Sequence, residues 1–379
     1  MTYWDYNATA PVRPEVASLL ARAFASGGFG NASSVHQEGR AARARLDAAR
    51  AKVARLLGCE PKEVSFTGSG SEANALALMG AWHARPHPER RRVVTSAIEH
   101  PALLAAAAQL ERDGADVVRV APGPDGRVRE ADVLEALTPD TALCSLMWAN
   151  NETGVLQPAR DIARACRQRG VLFHTDAVQA AGKVPLSLRE VDADLLSLAA
   201  HKFGGPPGVG LLVVRKSVDV RALTPGHQEG GRRGGTQNVP FAEALALALE
   251  LATAEQPETA ARLTALRDAF EREVRSALPG VHVNGDGAPR VPNTSNLRFE
   301  GVEGEALLIA LDLDGICVSS GAACASGTLT PSHVLRAMGL TAAEARGSLR
   351  FSLGPGTTEA DVERVVSALR EHVPNVRAL

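Results

Sequence analysis

Phe66-Thr-Gly-Ser-Gly-Ser-Glu-Ala-Asn74 runs from a β-rich apolar stretch through a glycine turn into an Ala/Leu-rich helical stretch. Such a junction exposes backbone N–H groups where the helix dipole favours an anion, and the hydroxyls of Ser69 and Ser71 add donors. Taken alone, a glycine turn serves as readily to reverse the chain. Outward from it the same alternation recurs. Short apolar runs at 64–67, 92–96, 117–120, 142–148, 171–175, 195–199 and 210–214 are separated by turns and by amphipathic helical segments such as 101–112 and 159–169. That is the pattern of an α/β domain built on a mainly parallel sheet covered by helices. Ligands of such sheets gather at the carboxyl ends of the strands.

Two further segments put chemistry at those ends. His174-Thr-Asp-Ala-Val-Gln179 places Asp176 at the end of an apolar strand, where a carboxylate can pair with a protonated ring nitrogen. Helix capping is the competing use of an aspartate there. Leu198-Ala-Ala-His-Lys-Phe-Gly-Gly205 sets Lys202 in a glycine-rich loop directly after another strand. A lysine in a turn is commonly a solvated charge, but this chain uses lysine sparingly: of 41 Lys and Arg residues only five are lysines (52, 62, 183, 202 and 216). Arginine carries the ordinary positive charge, which leaves lysine for what guanidinium cannot do, such as acting as an amine nucleophile. A phosphate loop, a strand-end Asp and a strand-end Lys in one sheet together meet the three demands of pyridoxal phosphate: an anion cradle, a pyridinium partner and a Schiff-base amine.

A length of 379 residues predicts two domains. A long Ala/Leu/Glu-rich helical pattern from Phe241 to about Leu278 precedes a change of texture, with strands expected at 294–299, 317–320 and 348–353 and helices at 304–313 and 359–372. The expected division is a large domain over 15–250, and a smaller α+β domain made of 1–14 and 251–379. The formal net charge of −2 supplies no basic field for nucleic acid or an anionic membrane surface, which points to small-molecule partners. No signal-peptide pattern and no apolar run long enough to span a membrane is present, so the expected location is the cytoplasm. Five cysteines without a Cys-x-x-Cys pair argue for reduced thiols and against a structural metal site.

The whole set resembles the class V, fold-type I aminotransferases, and within them the cysteine desulfurases of the nitrogen-fixation and iron-sulfur-assembly type. The likeness runs from Tyr3-Trp-Asp-Tyr-Asn-Ala-Thr9 and Gly30-Asn-Ala-Ser-Ser-Val-His36 to Arg350-Phe-Ser-Leu353, and its most specific motif is Ser319-Ser-Gly-Ala-Ala-Cys-Ala-Ser326, followed by Pro331-Ser-His-Val-Leu-Arg336. The resemblance implies that Cys324 receives sulfur from L-cysteine as a persulfide and passes it to an acceptor protein. It implies that Lys202 carries the cofactor, with Gly70, Ser71 and His201 toward its phosphate, Asp176 on the ring nitrogen and Gln179 on the ring hydroxyl. His100 would stack on the ring and assist proton transfer. Asn151 would sit beside cofactor and substrate, and Arg350 would clamp the substrate carboxylate. Thr236, in Gln228-Glu-Gly-Gly-Arg-Arg-Gly-Gly-Thr-Gln-Asn238, would reach the cofactor phosphate of a neighbouring subunit, which implies a homodimer.

Three positions depart from that pattern: Ala199 where serine is usual, Gly230 where arginine is common, and Gly354-Pro-Gly356 where bulkier residues are common. Fold and cofactor do not fix the reaction. Selenocysteine lysis or another class V transamination, and a sulfur-relay partner without cofactor, are the alternatives that the motifs leave open. The cysteine loop separates the first pair from a desulfurase, since a transaminase needs no thiol there. Cys317, flanked by Ile316 and Val318, reads as a buried strand residue rather than as the acceptor thiol.

Overall fold

The computed structural model describes residues 1–27, 30–320 and 330–378. Among these residues twelve strands form three sheets. In chain order they are β1 (Thr2–Tyr3), β2 (Val64–Thr67), β3 (Arg92–Ser96), β4 (Asp116–Val120), β5 (Thr141–Ser145), β6 (Leu172–Asp176), β7 (Leu195–Ala199), β8 (Gly210–Val214), β9 (Val281–Val283), β10 (Thr294–Phe299), β11 (Ile316–Cys317) and β12 (Ser348–Ser352).

The central sheet has the order β2-β8-β7-β6-β5-β3-β4. Strands β4, β3, β5, β6 and β7 pair in parallel, and only β8 runs against its neighbours β7 and β2. β2, β5, β7 and β8 are buried along their whole length, as expected of strands covered by helices on both faces. The mainly parallel α/β sheet expected from the sequence is therefore present. Because β2 runs with the parallel set, the loops after β2, β3, β5, β6 and β7 all emerge on one side. Gly210, at the start of β8, closes that side: a Cβ on it would stand 2.6 Å from the Ser69 carbonyl carbon, so only glycine lets β8 pass this close to the turn after β2.

The second part of the chain forms an antiparallel sheet, β12-β10-β9, and β1 pairs in parallel with β11 through Thr2 and Ile316. The N-terminal strip thus joins the C-terminal third in space. Trp4, 1% exposed, packs edge-on to Phe270 and Phe351 in a core shared with Leu297, Phe299, Leu349 and Leu369. The helix Val239–Ala277 links the two cores: Ala242 to Ala252 pack on the central sheet, and Leu263 to Val274 pack on the smaller one. Val334, Leu335 and Met338, although late in the chain, pack on the larger core.

Several edges differ from the sequence reading. β5 ends at Ser145 rather than at 148, β11 is two residues long, and the last helix runs Glu359–Arg377, past Pro374. The final turns gain from burial of Val366, Leu369 and Val373, which outweighs one missing backbone donor. Cys317 lies in a strand as expected but is half-buried rather than enclosed, because β11 is an edge.

Candidate active site

The loops at the carboxyl end of the central sheet enclose a cavity of about 320 Å³, lined by Asn7, Ser69, Gly70, Ser71, Asn74, His100, Asn151, Asp176, Gln179, Ala199, His201, Lys202 and Arg350, with a few apolar neighbours. Nine residues singled out from sequence meet here: Gly70, Ser71, His100, Asn151, Asp176, Gln179, His201, Lys202 and Arg350. Thr236 does not: it is exposed on a loop outside this cavity. Cys324 lies outside the described residues.

Each side chain is held by its element. Ser69 caps the helix Gly70–Ala75, its Oγ accepting from Glu72 N at 3.0 Å, and this sets Gly70 and Ser71 at the cavity wall. Gly70 packs tightly, since a Cβ there would stand 3.0 Å from the Ala199 Cβ. Asp176 ends β6, 5% exposed; its Oδ2 accepts from Asn74 Nδ2 at 2.6 Å and its Oδ1 from Val178 N at 2.9 Å. His100 caps the helix Pro101–Arg112 by accepting from Ala102 N through Nδ1 at 3.1 Å, which leaves Nε2 to carry the proton of the neutral ring. Lys202 Nζ donates to the carbonyls of Asn7 and Ala8, each at 2.7 Å. Arg350 lies in β12; Nη2 pairs with Asp5 at 2.7 Å and Nη1 donates to the Asn151 carbonyl at 3.0 Å.

Burial sets the charge states. It pushes His100 down, with Lys202 and His333 acting the same way and Asp176 opposing, so the ring is neutral near pH 7. Burial, then Lys202 and His100, push His201 down to about 4. Glu99, next to His100 in sequence, is fully enclosed and pushed up to about 8, against hydrogen bonds from Ser96 and Met147 N.

These residues fit pyridoxal phosphate. The volume suits a small ligand, for which pockets begin at about 300 Å³. Among the described residues, Asn74 Oδ1 and Arg350 Nε are buried with no hydrogen-bond partner, polar atoms of the kind a ligand satisfies. The donor set combines hydroxyls, a fixed carboxylate, an amine and a guanidinium.

Several supports of the site carry no local signal in the sequence. Asn7 is a hub: its Nδ2 donates to Asn151 O and Thr294 Oγ1, and its backbone N to Ser352 Oγ. Lys183, 9% exposed, donates to Asn7 Oδ1 at 2.8 Å and to Gln179 Oε1. The scarcity of lysine was the available signal for it. Glu152, next to Asn151, accepts from Ser332 Oγ at 2.5 Å, and His333 Nε2 donates to the Glu99 carbonyl at 2.9 Å. On the other side of the undescribed segment 321–329, Ser319 exchanges backbone hydrogen bonds with Arg350 at 2.7 and 3.1 Å. Both flanks of the cysteine motif therefore attach at or beside the cavity wall.

A chain with this sheet and this site belongs to the aminotransferase class-V family, whose model matches residues 2–365. Over its full length it is 46% identical to a cysteine desulfurase of Cereibacter sphaeroides, covering 97% of that protein, and 44% identical to one of Trichormus azollae, covering 94%. Its fold superposes on a NifS-like protein with a TM-score of 0.90 at 35% identity, covering 99% of both chains.

Proposed function

We propose that this chain is a pyridoxal-phosphate-dependent cysteine desulfurase that converts L-cysteine to L-alanine and carries the sulfur on Cys324 before passing it to an acceptor protein. The observation that supports it most is the convergence of Lys202, Asp176, His100, Gln179 and Arg350 on one cavity, in a chain that matches desulfurases end to end. Residues 15–250 form the cofactor-bearing domain; 1–14 and 251–379 form the domain that brings the cysteine.

Lys202 would hold the cofactor, with Gly70, Ser71 and His201 at its phosphate, Asp176 at its ring nitrogen and Gln179 at its ring oxygen. The chemistry supplied there is an aldehyde that captures the substrate amine and a cationic ring that draws electrons from Cα. Arg350 binds the substrate carboxylate and Asn151 stands beside it. Arg350 is already paired with Asp5, so the incoming carboxylate shares the guanidinium with that residue. Asp176, fixed by Asn74 and Val178 N, would keep the ring nitrogen protonated. Lys202 would take the Cα proton of the bound substrate, and neutral His100, which lines the same cavity, would relay protons. The Cys324 thiolate attacks the substrate sulfur. An S–S bond forms as the C–S bond breaks, the carbon keeps that electron pair and takes up a proton, and Lys202 returns one to Cα to give alanine.

Thr236, exposed outside its own cavity, supports a homodimer in which it reaches the partner's cofactor phosphate. Glu229 holds that loop in place. Its carboxylate receives Arg50 at 2.7 and 2.9 Å and Phe66 N at 2.8 Å.

The test is sulfide and alanine release from L-cysteine with a reductant, comparing the intact protein with Cys324→Ala and recording cofactor absorbance for both. The expected result is both products from the intact protein, and a yellow variant that releases no sulfide. Two yellow, equally active proteins would remove Cys324 as acceptor and leave a lyase or transaminase; two colourless ones would remove the enzyme reading.

A further inference from the structure

Lys183 is one of five lysines in the chain; it is buried behind Asn7 and Gln179 of the cavity wall, and among the described residues no carboxylate pairs with its amine. It follows β6 in a helical turn in which Lys183 N donates to Ala180 O, so its side chain lies on the same face as that of Gln179, four residues earlier. Burial, reinforced by the positive charges of Lys202 and Arg350, lowers its proton affinity well below that of a free lysine. A buried amine of this kind is costly unless its hydrogen bonds are used.

The hydrogen bonds define what it does. The amine donates to Gln179 Oε1 and to Asn7 Oδ1, while Gln179 Nε2 donates to Asn7 O at 3.0 Å. Asn7 Oδ1 has a second donor, Asn293 Nδ2 at 3.2 Å. Gln179 Oε1 has none besides Lys183 among the described residues. With its oxygen drawn to Lys183 and one N–H spent on Asn7 O, the Gln179 amide has a single N–H left for the cavity that it lines.

We propose that Lys183 is a positioning residue: its amine holds the Gln179 amide turned so that a nitrogen, and not an oxygen, faces the cofactor's ring oxygen. The proposal rests on the reading of the cavity as a pyridoxal-phosphate site. A donor there stabilises the ring oxygen as an anion and so lowers the pH at which the cofactor bound to Lys202 loses its proton, an event seen as a change in the visible absorption band.

The experiment is a double-mutant cycle on the cofactor-loaded protein, reading the midpoint of that spectral transition in a pH titration. Lys183→Met and Gln179→Leu should each raise the midpoint by about one pH unit, the scale of a hydrogen bond lost from a charged form. The double variant should move it no further, because the two residues act in one chain. An unmoved midpoint in either single variant overturns the proposal. So do shifts that add, since they would make Lys183 an independent charge. Lys183→Leu enters the same cycle if the Met variant does not fold. Failure of the parent reading looks different: the intact protein takes up no coloured cofactor, or Lys202→Ala leaves the band unchanged.

Discussion

Glu152 shows at the scale of one residue how the site's surroundings are tuned. Burial pushes its carboxyl up to about 7, against the Ser332 hydrogen bond and the nearby charge of Arg350. An acid whose proton affinity rises on folding favours the folded state most below its unfolded value of 4.5, and that advantage fades as the pH rises through about 7. Replacing it with the uncharged isostere should remove this dependence. The melting temperature of Glu152→Gln relative to the intact protein is therefore expected to climb between pH 5 and pH 8, with an upper bound of about 3 kcal/mol. A pH-independent difference in a thermal scan would contradict it. Placement at the end of an apolar strand or directly after one made Asp176 and Lys202 legible, and the family resemblance supplied Arg350. Asn7, Asn74, Lys183 and Glu152 were not legible, since each has a partner more than a hundred residues away.

At the scale of elements, strand-then-loop periodicity located every strand of the central sheet to within a few residues. Edges moved where tertiary hydrogen bonds and packing competed with local pattern, as at Ser145 and past Pro374. The turn after β6 shows what pattern does not convey. Gly182 there has φ of +71°, and a Cβ on it would stand 2.9 Å from the Ala252 Cβ on the long helix. Gly182→Val is expected to cost about 1–3 kcal/mol, through the left-handed backbone and the clash together. A drop in the urea midpoint with unchanged slope would show this, and a midpoint equal to that of the intact protein would refute it. Because Lys183 is the next residue, the same substitution should also disturb its contacts with Gln179 and Asn7.

The whole molecule is held by segments far apart in sequence. Trp4 ties the N-terminal strip to a core drawn from residues 263–373, and Asn7, three residues on, reaches into the cavity. Trp4→Ala should destabilise the chain by about 3 kcal/mol, at the low end for a buried aromatic. The indole N–H has no partner among the described residues, so its removal also relieves an unsatisfied donor. Calorimetry showing a loss below about 1 kcal/mol would contradict that packing role. The order of motifs along the chain was enough to indicate the sheet type and, together with the family resemblance, most of the side chains that line the cavity, since each motif depends on a few neighbouring residues and a period. Folding was needed to bring the first eight residues against Lys202, to pair Arg350 with Asp5, and to seat Ser332 on Glu152. Those contacts join segments separated by 180 to 345 positions. No local pattern encodes such a pairing; it follows from how two cores share one long helix and one N-terminal strip.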